Sequence, residues 1–546
     1  MLKRHPLVAA LIGLGLSLPT LAIAALPAVA PDAGRLTREL QQPVEAPRPG
    51  VSITLPTPGS DVVQPGGPQI TLNAVAFSGN TGFSQQQLIQ VIQPALGKPH
   101  DLAGLYQLAD QISMFYRSKG YSFAKAFVPE NGFQNGTLTI TVVEGRYGRV
   151  TAEADSPARS AQAQRFLSPL KTNTPIYAAA LERQILILDD QPGYDVLPII
   201  KPGQMVGTGD LHVKLTRQPL IRGSVSLNNH GNRYTGYVQA RANVQVNSPL
   251  MVGDQLSVSL LTSDKDLRSG SLNYSLPLGA NGLRATAGYS YTEYRLAREF
   301  ANLQATGEAQ TTSLGLSYPL LRSRNTNVNL SVQGQHKRFF DEQRSVNARQ
   351  SRASDSGVAQ LSFDRLDQYG ISYGQVEWTM GRIKTGQPDL GRVNGSYSRL
   401  NADLVRLQRL SNTLSLYARM NGQKARRNLD SSESYSLGGP FAVRAYPTGE
   451  GTGDEGAFGQ VELRLRMTEN VSPFLFYDGG RVRTEQNPIA VGKNNRTLSG
   501  AGIGVRYQAG RFNLESIIAR RLVGGDPESD PRDGQYTGWL SVGYAF

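Results

Sequence analysis

The chain has 546 residues, a net charge of +13, 58 glycines and no cysteine. The lack of cysteine excludes disulfide bonds, so a chain of this length must be held by a large core or a closed sheet. The positive charge does not indicate a nucleic-acid-binding protein, because the arginines are scattered through alternating segments. A polar barrel interior that contains arginine accounts for them better than contact with anionic lipid.

Residues 1–24 have the pattern of a secretory signal peptide. Basic residues at 3–5 precede an apolar run over 7–25, and Ala22 and Ala24 occupy a cleavage position. A membrane anchor is the alternative interpretation. Elsewhere no stretch approaches the ~18 consecutive apolar residues that a transmembrane helix needs. The mature chain is therefore expected to be exported and to lack a helical span.

Residues 25–42 contain a short helical candidate, and residues 43–69 form a linker. The predicted helix runs from Asp32 to Gln42 with Leu36 and Leu40 on one face, and it is too short to be stable alone. The segment that follows it contains seven prolines. Such a segment cannot pack a core, and it is expected to be an extended, semi-rigid tether.

Residues 70–146 and 147–218 share one predicted order of elements, strand–helix–helix–strand–strand. In the first copy the predicted elements are a strand at 70–77, helices at 82–93 and 101–120, and strands at 121–128 and around 138–142. In the second copy they are a strand at 148–153, a helix at 158–170, a helix that begins at Thr174-Pro175, a strand at 196–200 broken by Pro198, and a strand around 211–215. The two segments are therefore predicted to be two copies of one α+β domain.

From residue 219 to the end, apolar and polar residues alternate in strands of ~10 residues with tyrosine near their ends, which is typical of transmembrane barrels. Segments 272–278 and 283–291 flank a glycine-rich turn and are predicted to form a hairpin. Lipid offers no hydrogen-bond partner, so a sheet in a bilayer must close on itself. Residues 219–546 are therefore expected to form roughly 16 antiparallel strands at ~20 residues per strand and connection. A soluble β-sandwich array is the alternative.

The final predicted strand runs from Trp539 to Phe546. Its apolar face includes Tyr544 and Phe546, while Ser541 and Gly543 lie on the other face. An amphipathic strand that ends on an aromatic residue resembles the C-terminal sorting signal of outer-membrane proteins. A free apolar strand in any other setting would be an aggregation-prone edge.

Two segments differ from the repeating strand pattern. Residues 438–456 form a loop rich in glycine and proline that carries Arg444, and its apolar side chains favour folding inward. In the strand Phe474–Arg481, Leu475 and Tyr477 share the face opposite to Asp478. If the apolar face meets lipid, Asp478 points into the lumen, where Arg444 is a natural charge-assisted partner. The alternative is that Arg444 lies on an exposed loop and Asp478 begins a turn.

Several motifs in a fixed order resemble those of the transporter subunit of two-partner secretion, a branch of the Omp85 superfamily. The loop sequence Val443-Arg444-Ala445-Tyr446 is similar to the family's VRGY motif, with alanine in place of glycine, and Phe476-x-Asp478-x-Gly480 matches its partner strand motif. Residues 229–236, 247–256 and 274–279 resemble its first barrel strands, and residues 75–80 resemble the opening of its periplasmic POTRA domains.

The resemblance implies a transmembrane β-barrel preceded by two periplasmic POTRA domains, at 70–146 and 147–218, in the outer membrane. It implies that these domains bind a large secreted exoprotein, such as an adhesin, a haemolysin or a contact-dependent toxin, through their strand edges. The exoprotein would pass unfolded through the barrel, the Arg444 loop would lie movably inside it, and the helix within residues 25–42 would act as a plug. The barrel itself would depend on lipid and on the barrel-assembly machinery for insertion.

Other functional classes have less support. The G-x-G-x-x-G sequence at 451–456 lacks the preceding parallel strand and the following helix of a dinucleotide site. The five histidines form no metal-ligand cluster, and His230 is expected to lie at the junction of domain and barrel. No catalytic motif, cofactor, metal site or nucleic-acid site is predicted. A barrel-assembly factor, for which more POTRA copies are expected, and a passive porin remain the alternative functions.

Overall fold

The computed structural model describes residues 30–44, 46–47, 64–134, 136–386, 389, 391–489, 491–531 and 534–546. The predicted signal peptide and most of the proline-rich linker lie outside these residues. In the described part of the chain, no helix has the length and apolar character needed to cross a membrane.

The first helix, α1, spans Ala33–Glu39, which is shorter than the predicted 32–42. Asp32 is its N-cap, and the Asp32 carboxylate accepts a hydrogen bond from the Arg35 amide at 2.9 Å. The helix ends at Glu39, and Leu40 is its C-cap. Only Ala33, Gly34 and Leu36 are buried within it, so its stability depends on the surfaces that it contacts.

The first α+β domain packs two helices against a small sheet. Its elements are β1 (Ile70–Thr71), β2 (Ala74–Ser78), α2 (Gln85–Ile92), a 3₁₀ turn (Gln93–Ala95), β3 (Pro99–His100), α3 (Leu102–Ser118), β4 (Lys125–Phe127), β5 (Phe133–Gln134) and β6 (Thr137–Val143). The order β2–β6–β4 pairs β2 parallel and β4 antiparallel to β6. Ser84 starts α2 through a capping box, and Asp101 caps α3 as predicted.

The second domain repeats this plan. Its elements are β7 (Arg146–Glu153), α4 (Pro157–Phe166), α5 (Ala178–Asp189), β8 (Tyr194–Pro202) and β9 (Thr208–Arg217), in the sheet order β7–β9–β8. The prediction that a helix begins at Thr174-Pro175 is wrong. The backbone there pairs with the start of β7, where the Ile176 amide donates to the Gly145 carbonyl at 2.9 Å, and α5 begins only at Ala178.

Pro198 does not break its strand. β8 is continuous, and Pro198 stands opposite Val213 of β9 in register. β8 is an edge strand with β9 as its single sheet neighbour, so the missing amide hydrogen of proline leaves the ladder intact.

Glu144 joins the two domains. Its carboxylate accepts hydrogen bonds from the Thr81 and Gly82 amides, both at 2.6 Å, and lies 3.3 Å from Nη2 of Arg146. Burial raises the pKa of Glu144, but these hydrogen bonds and the Arg146 charge outweigh it and hold the pKa below its usual value. Glu144 is therefore ionised where it anchors the turn before α2.

The barrel is a closed sheet of 16 antiparallel strands. Its strands are β10 (Ile221–Asn228), β11 (Gln239–Asn247), β12 (Gln255–Ser263), β13 (Leu267–Pro277), β14 (Arg284–Arg295), β15 (Ala305–Arg322), β16 (Thr326–Gln343), β17 (Ala348–Asp367), β18 (Gly370–Thr385), β19 (Gly395–Arg409), β20 (Leu414–Ala425), β23 (Glu455–Leu465), β24 (Val471–Arg483), β25 (Asn495–Ala509), β26 (Phe512–Val523) and β27 (Tyr536–Ala545). Between β20 and β23 lie the short pair β21 (Tyr435–Ser436) and β22 (Thr452–Gly453). Short 3₁₀ turns span Arg298–Leu303, Arg344–Val346 and Ser431–Glu433.

The last strand closes the barrel on the first. β27 pairs antiparallel with β10, where Val225 stands opposite Tyr544, and Gly223 and Phe546 exchange two backbone hydrogen bonds of 2.9 Å. Tyr544 and Phe546 both face outward and are about half exposed. The predicted hairpin is also present, since Leu276 of β13 pairs with Ala285 of β14.

The second α+β domain is docked on the turns at one rim of the barrel. Arg322 makes two hydrogen bonds of 2.7 Å to Asp190, and the Gln184 amide donates to the Ala280 carbonyl at 2.8 Å. The N-terminal domains therefore lie at the rim where β10 begins. The loop between β20 and β23 starts and ends at the opposite rim.

Candidate functional site in the barrel lumen

The loop at residues 426–454, called the lumen loop below, folds back into the barrel. Its side chains contact strands around the circumference, from Lys337 on β16 to Trp539 on β27. Arg444 is almost fully buried, at 2% exposure, and Val443, Ala445 and Tyr446 are completely buried. The prediction of an inward loop thus agrees with the geometry, and the exposed-loop alternative does not.

Arg444 and Asp478 form a bidentate pair on the inner wall. Nε of Arg444 is 2.8 Å from Oδ2 of Asp478, Nη2 is 2.7 Å from Oδ1, and the Arg444 amide also donates to Oδ2 at 3.1 Å. Leu475 and Tyr477 point outward, with more than half of each side chain exposed. The strand alternation predicted these faces correctly.

Aromatic side chains surround the Arg444 guanidinium. Its carbon lies 3.7 Å from the ring centre of Phe476, a cation–π contact on the desolvated side of the ion pair. The indole of Trp539 donates to the Arg444 carbonyl at 2.7 Å. Phe476 of the strand motif therefore stacks on the cation that Asp478 binds.

Glu462 is a second acceptor for Arg444 that the sequence analysis missed. Located on β23, it contacts Nη1 of Arg444 and also pairs with Arg506 at 3.0 Å and Arg464 at 2.7 Å. Its inward position follows from the alternation of β23, but its partners come from β25 and the lumen loop. Arg444, Glu462 and Asp478 are buried, whereas Arg464 and Arg506 are partly exposed. Removing one member of a buried pair typically costs about 3–5 kcal/mol.

The small residues of the two motifs permit close packing. A Cβ on Gly480 would lie 2.5 Å from Cδ1 of Leu437 and 2.6 Å from the Ala457 carbonyl, so this glycine lets the lumen loop lie against β24. Ala445 has an ordinary backbone conformation, because its φ is not positive. Its Cβ instead faces Gly500, where an added Cβ would be only 2.2 Å away.

Tyr446 ties the lumen loop to the connection between β26 and β27. Its hydroxyl donates towards the carbonyls of Val523 and Gly525, at 2.8 and 3.0 Å. On the other side, Arg419 binds Asp403 with two hydrogen bonds and donates to the Phe441 carbonyl at 2.9 Å. The loop is thus fixed to the wall on several sides by polar contacts.

The root of the lumen loop, residues 429–434, has a second charged anchor that the sequence analysis also missed. The buried Glu433 carboxylate lies 2.7 Å from Nζ of Lys337 and 2.7 Å from Nε of Arg399, and Tyr397 donates to it at 3.0 Å. These three partners belong to β16 and β19, on a different part of the wall from Asp478 on β24. Leu429 packs beside them against Ile383.

Helix α1 occupies the lumen next to the loop. The Ala33 amide donates to Asp341 of β16 at 2.9 Å, and Asn232 donates to Glu39 at 2.8 Å. A Cβ on Gly34 would lie 2.6 Å from Oγ of Ser431, so the helix touches the loop root directly. A cavity of about 240 Å³ remains beside its C-terminal end, lined among others by Arg241, Gln375 and Asn401.

His230 does not lie at the junction of domain and barrel as predicted. It follows β10, at the rim opposite to the N-terminal domains, and its ring packs edge-on against Phe441 and Trp539. Burial lowers the pKa of His230 to about 4, so the ring is neutral at physiological pH. In the described part of the chain, His, Asp and Glu side chains form no group that could hold a metal ion. Residues 451–456 enter a barrel strand, not a helix.

The sequence of residues 207–507 matches the family model of the haemolysin secretion/activation proteins ShlB/FhaC/HecB. The chain belongs to this family. Residues 70–145 match the ShlB-type POTRA domain, so the first α+β domain is a POTRA domain, and the predicted resemblance to two-partner secretion transporters is confirmed. The haemolysin secretion/activation proteins are a family of secretion transporters.

Curated relatives cover most of the chain. The heme/hemopexin transporter protein HuxB of Haemophilus influenzae strain 86-028NP is 28% identical over 479 residues, which are 84% of this chain and 83% of HuxB. The outer membrane transporter CdiB of Escherichia coli O6:K15:H31 is 24% identical, over 84% of this chain and 80% of that protein. The hemolysin transporter protein HpmB of Proteus mirabilis is 23% identical, over 76% and 75%.

Solved structures share the fold. CdiB from Escherichia coli superposes with a TM-score of 0.73 at 22% identity, over 88% of this chain and 91% of CdiB. CdiB from Acinetobacter baumannii gives 0.67 at 21% identity, over 94% and 96%. The predicted fold and the outer-membrane location with periplasmic N-terminal domains are confirmed for this member of the haemolysin secretion/activation family.

Proposed function

We propose that this transporter recognises a secreted partner exoprotein in the periplasm through its two α+β domains and exports it unfolded through the barrel to the cell surface. One observation carries the proposal. The lumen is filled by α1 and the lumen loop, and side-chain contacts hold both elements to the wall. The 16 strands of the wall form a closed sheet in which neither element takes part. Displacing the two elements leaves a complete barrel.

The width of the barrel supports passage of a polypeptide. Barrels of 16–18 strands leave an aqueous channel when no segment fills them. The inner wall here carries arginines and carboxylates, among them Arg419, Asp403, Glu462 and Arg506. Such a lining offers hydrogen bonds to an unfolded chain that has no secondary structure of its own.

The periplasmic domains supply strand edges for recognition. An extended segment can add to an exposed edge through main-chain hydrogen bonds, with side chains selecting the partner. In support, Arg322 contacts Asp190 and so holds the second domain against the rim of the barrel. A partner strand bound there is delivered to the lumen.

Two elements control access in this proposal. Helix α1 acts as a plug, and the lumen loop, locked by Arg444 on Asp478, shapes the conduit. Tyr544 and Phe546 on the closing strand are the sorting signal for insertion by the barrel-assembly machinery. The partner is an adhesin, a haemolysin or a contact-dependent toxin, and the relative HpmB is named a hemolysin transporter protein.

The proposal is tested by co-expression with a candidate large exoprotein from the same genome, scored by immunoblot of the medium. We expect release with the wild-type chain. We expect none when residues 70–216 are deleted, although the barrel still inserts and stays heat-modifiable. Release by the deleted chain removes the recognition role. No release by either chain, with loss of other outer-membrane barrels when the gene is absent, favours the barrel-assembly alternative.

A further inference from the structure

Arg352 connects three parts of the molecule. It lies on the inner side of β17 and its side chain is 4% exposed. Its Nη1 is 2.7 Å from Asp430 at the root of the lumen loop and 3.0 Å from Asp32, the N-cap of α1. Its Nη2 is 2.8 Å from Asp341 of the neighbouring strand β16. One guanidinium thus binds the wall, the loop and the helix.

The three carboxylates are held unequally. The Asp430 side chain is 3% exposed, that of Asp341 14% and that of Asp32 30%. Asp430 also accepts hydrogen bonds from the amide and hydroxyl of Ser432, at 3.1 and 2.7 Å. Asp32 has the longest contact to Arg352 and belongs to a helix of seven residues. The contact between Arg352 and α1 is therefore the longest and most exposed of the three, although Asp32 also accepts hydrogen bonds from the Ser431 hydroxyl, at 2.7 and 2.8 Å.

Repulsion among the three carboxylates also favours the release of Asp32 from Arg352. Three carboxylates around one guanidinium repel one another, and this repulsion is strong away from bulk water. When Asp32 leaves, Asp341 and Asp430 stay on Arg352 with less excess negative charge. The loop root also keeps Glu433 on Lys337 and Arg399, and neither of these cations belongs to α1.

We infer that Arg352 is a positioning residue: when α1 leaves the lumen, Arg352 keeps the root of the lumen loop on the barrel wall. The inference rests on the proposed function, because only an export route requires the helix to leave. It separates two movements: the helix clears the conduit, and the loop root stays in place to line it.

The experiment measures the labelling of single engineered cysteines by a membrane-impermeant maleimide. The full chain contains no cysteine, so each one reports alone. Ala33→Cys reports on α1, since Ala33 is buried at 1% exposure, and Leu429→Cys reports on the loop root, where Leu429 is buried against Ile383. Each reporter is combined with Asp32→Ala or Arg352→Met in the purified full-length protein. Arg349→Met, an exposed side chain on the same strand β17, is the matched control.

With Asp32→Ala, we expect labelling to accelerate by about tenfold at Ala33→Cys, because a cap and an ion pair are lost, and by less at Leu429→Cys, where only the hydrogen bonds from Ser431 to Asp32 are lost. With Arg352→Met, both reporters should accelerate, and with Arg349→Met neither. Equal acceleration of both reporters by Asp32→Ala, or acceleration of Ala33→Cys alone by Arg352→Met, overturns the inference.

A second variant covers failure of Arg352→Met to fold as a heat-modifiable barrel. Asp430→Asn removes only the charge of the loop arm, and it should accelerate labelling at Leu429→Cys; unchanged labelling there also overturns the inference. None of these readouts uses the exoprotein. A failure of the proposed function therefore shows as absent release with the labelling pattern intact, and a failure of the inference shows in the labelling alone.

Discussion

Arg444 and Asp478, 34 residues apart in the chain, face each other inside the barrel through two side-chain hydrogen bonds of 2.8 and 2.7 Å. The cation belongs to a loop and the carboxylate to a strand of the wall. This pair therefore fixes to the wall a loop whose backbone ladder, β21–β22, is internal to the loop. Its strength comes from burial and from the stacked ring of Phe476.

Replacing Arg444 by alanine should abolish or strongly reduce export while the barrel still inserts. We expect release of the exoprotein to fall by about tenfold or more, because leaving Asp478 buried and unpaired costs about 3–5 kcal/mol. The measurement is an immunoblot of the medium at matched amounts of heat-modifiable barrel. Arg481→Ala, at an exposed position on the same strand, is the control and should export normally. Normal export by Arg444→Ala would show that the pair is not a functional lock.

Gly480→Ala should displace the lumen loop without changing any charge. The new methyl group would lie 2.5 Å from Leu437 and 2.6 Å from the Ala457 carbonyl oxygen. That oxygen belongs to the backbone of a paired strand and cannot move aside easily. We expect reduced export and faster cleavage of the lumen loop by trypsin added from outside. Gly357→Ala on β17 meets nothing within 4 Å and is the matched control. Equal trypsin sensitivity in the two variants would contradict the packing account.

Glu144→Gln should loosen the turn before α2. At neutral pH the amides of Thr81 and Gly82 should exchange with deuterium about tenfold faster, since charge-assisted hydrogen bonds contribute about 1.5–3 kcal/mol each. Because the pKa of Glu144 is lowered on folding, its contribution is present above the unfolded pKa of about 4.3 and is lost as the pH falls through the folded value. Glu153→Gln, an exposed carboxylate on β7, is the control. Unchanged exchange in Glu144→Gln would count against the junction role.

Local patterns in the sequence predict much of the fold. Alternation along β24 places Asp478 inside and Leu475 outside, and the cap residue Asp101 marks the start of α3. The errors at Thr174-Pro175 and Pro198 have a common cause. Each prediction came from the local preference of a proline, to start a helix or to break a strand. In the structure, pairing with neighbouring strands of the second domain determines the backbone at both positions.

The partners of buried charges are not predictable in this way. Glu462 and Arg352 are inward-facing by strand alternation, and Glu433 lies in the lumen loop, but their contacts depend on which strands stand opposite one another and on where that loop lies. The Arg444–Asp478 pair was proposed from the inward-folding loop and the strand alternation, and the family resemblance then favoured it over an exposed loop. His230 was misplaced because the order of elements along the chain does not show at which rim a loop lies.

The central claim is that the exoprotein passes through the lumen, and site-specific photo-crosslinking tests it most directly. A photoreactive residue replaces Asn401, which lines the lumen cavity, or Leu400, its outward-facing neighbour on β19. During arrested export, the account predicts that the exoprotein crosslinks to position 401 and not to position 400. Crosslinks at position 400 alone, or none at position 401 while export continues, would contradict a route through the barrel.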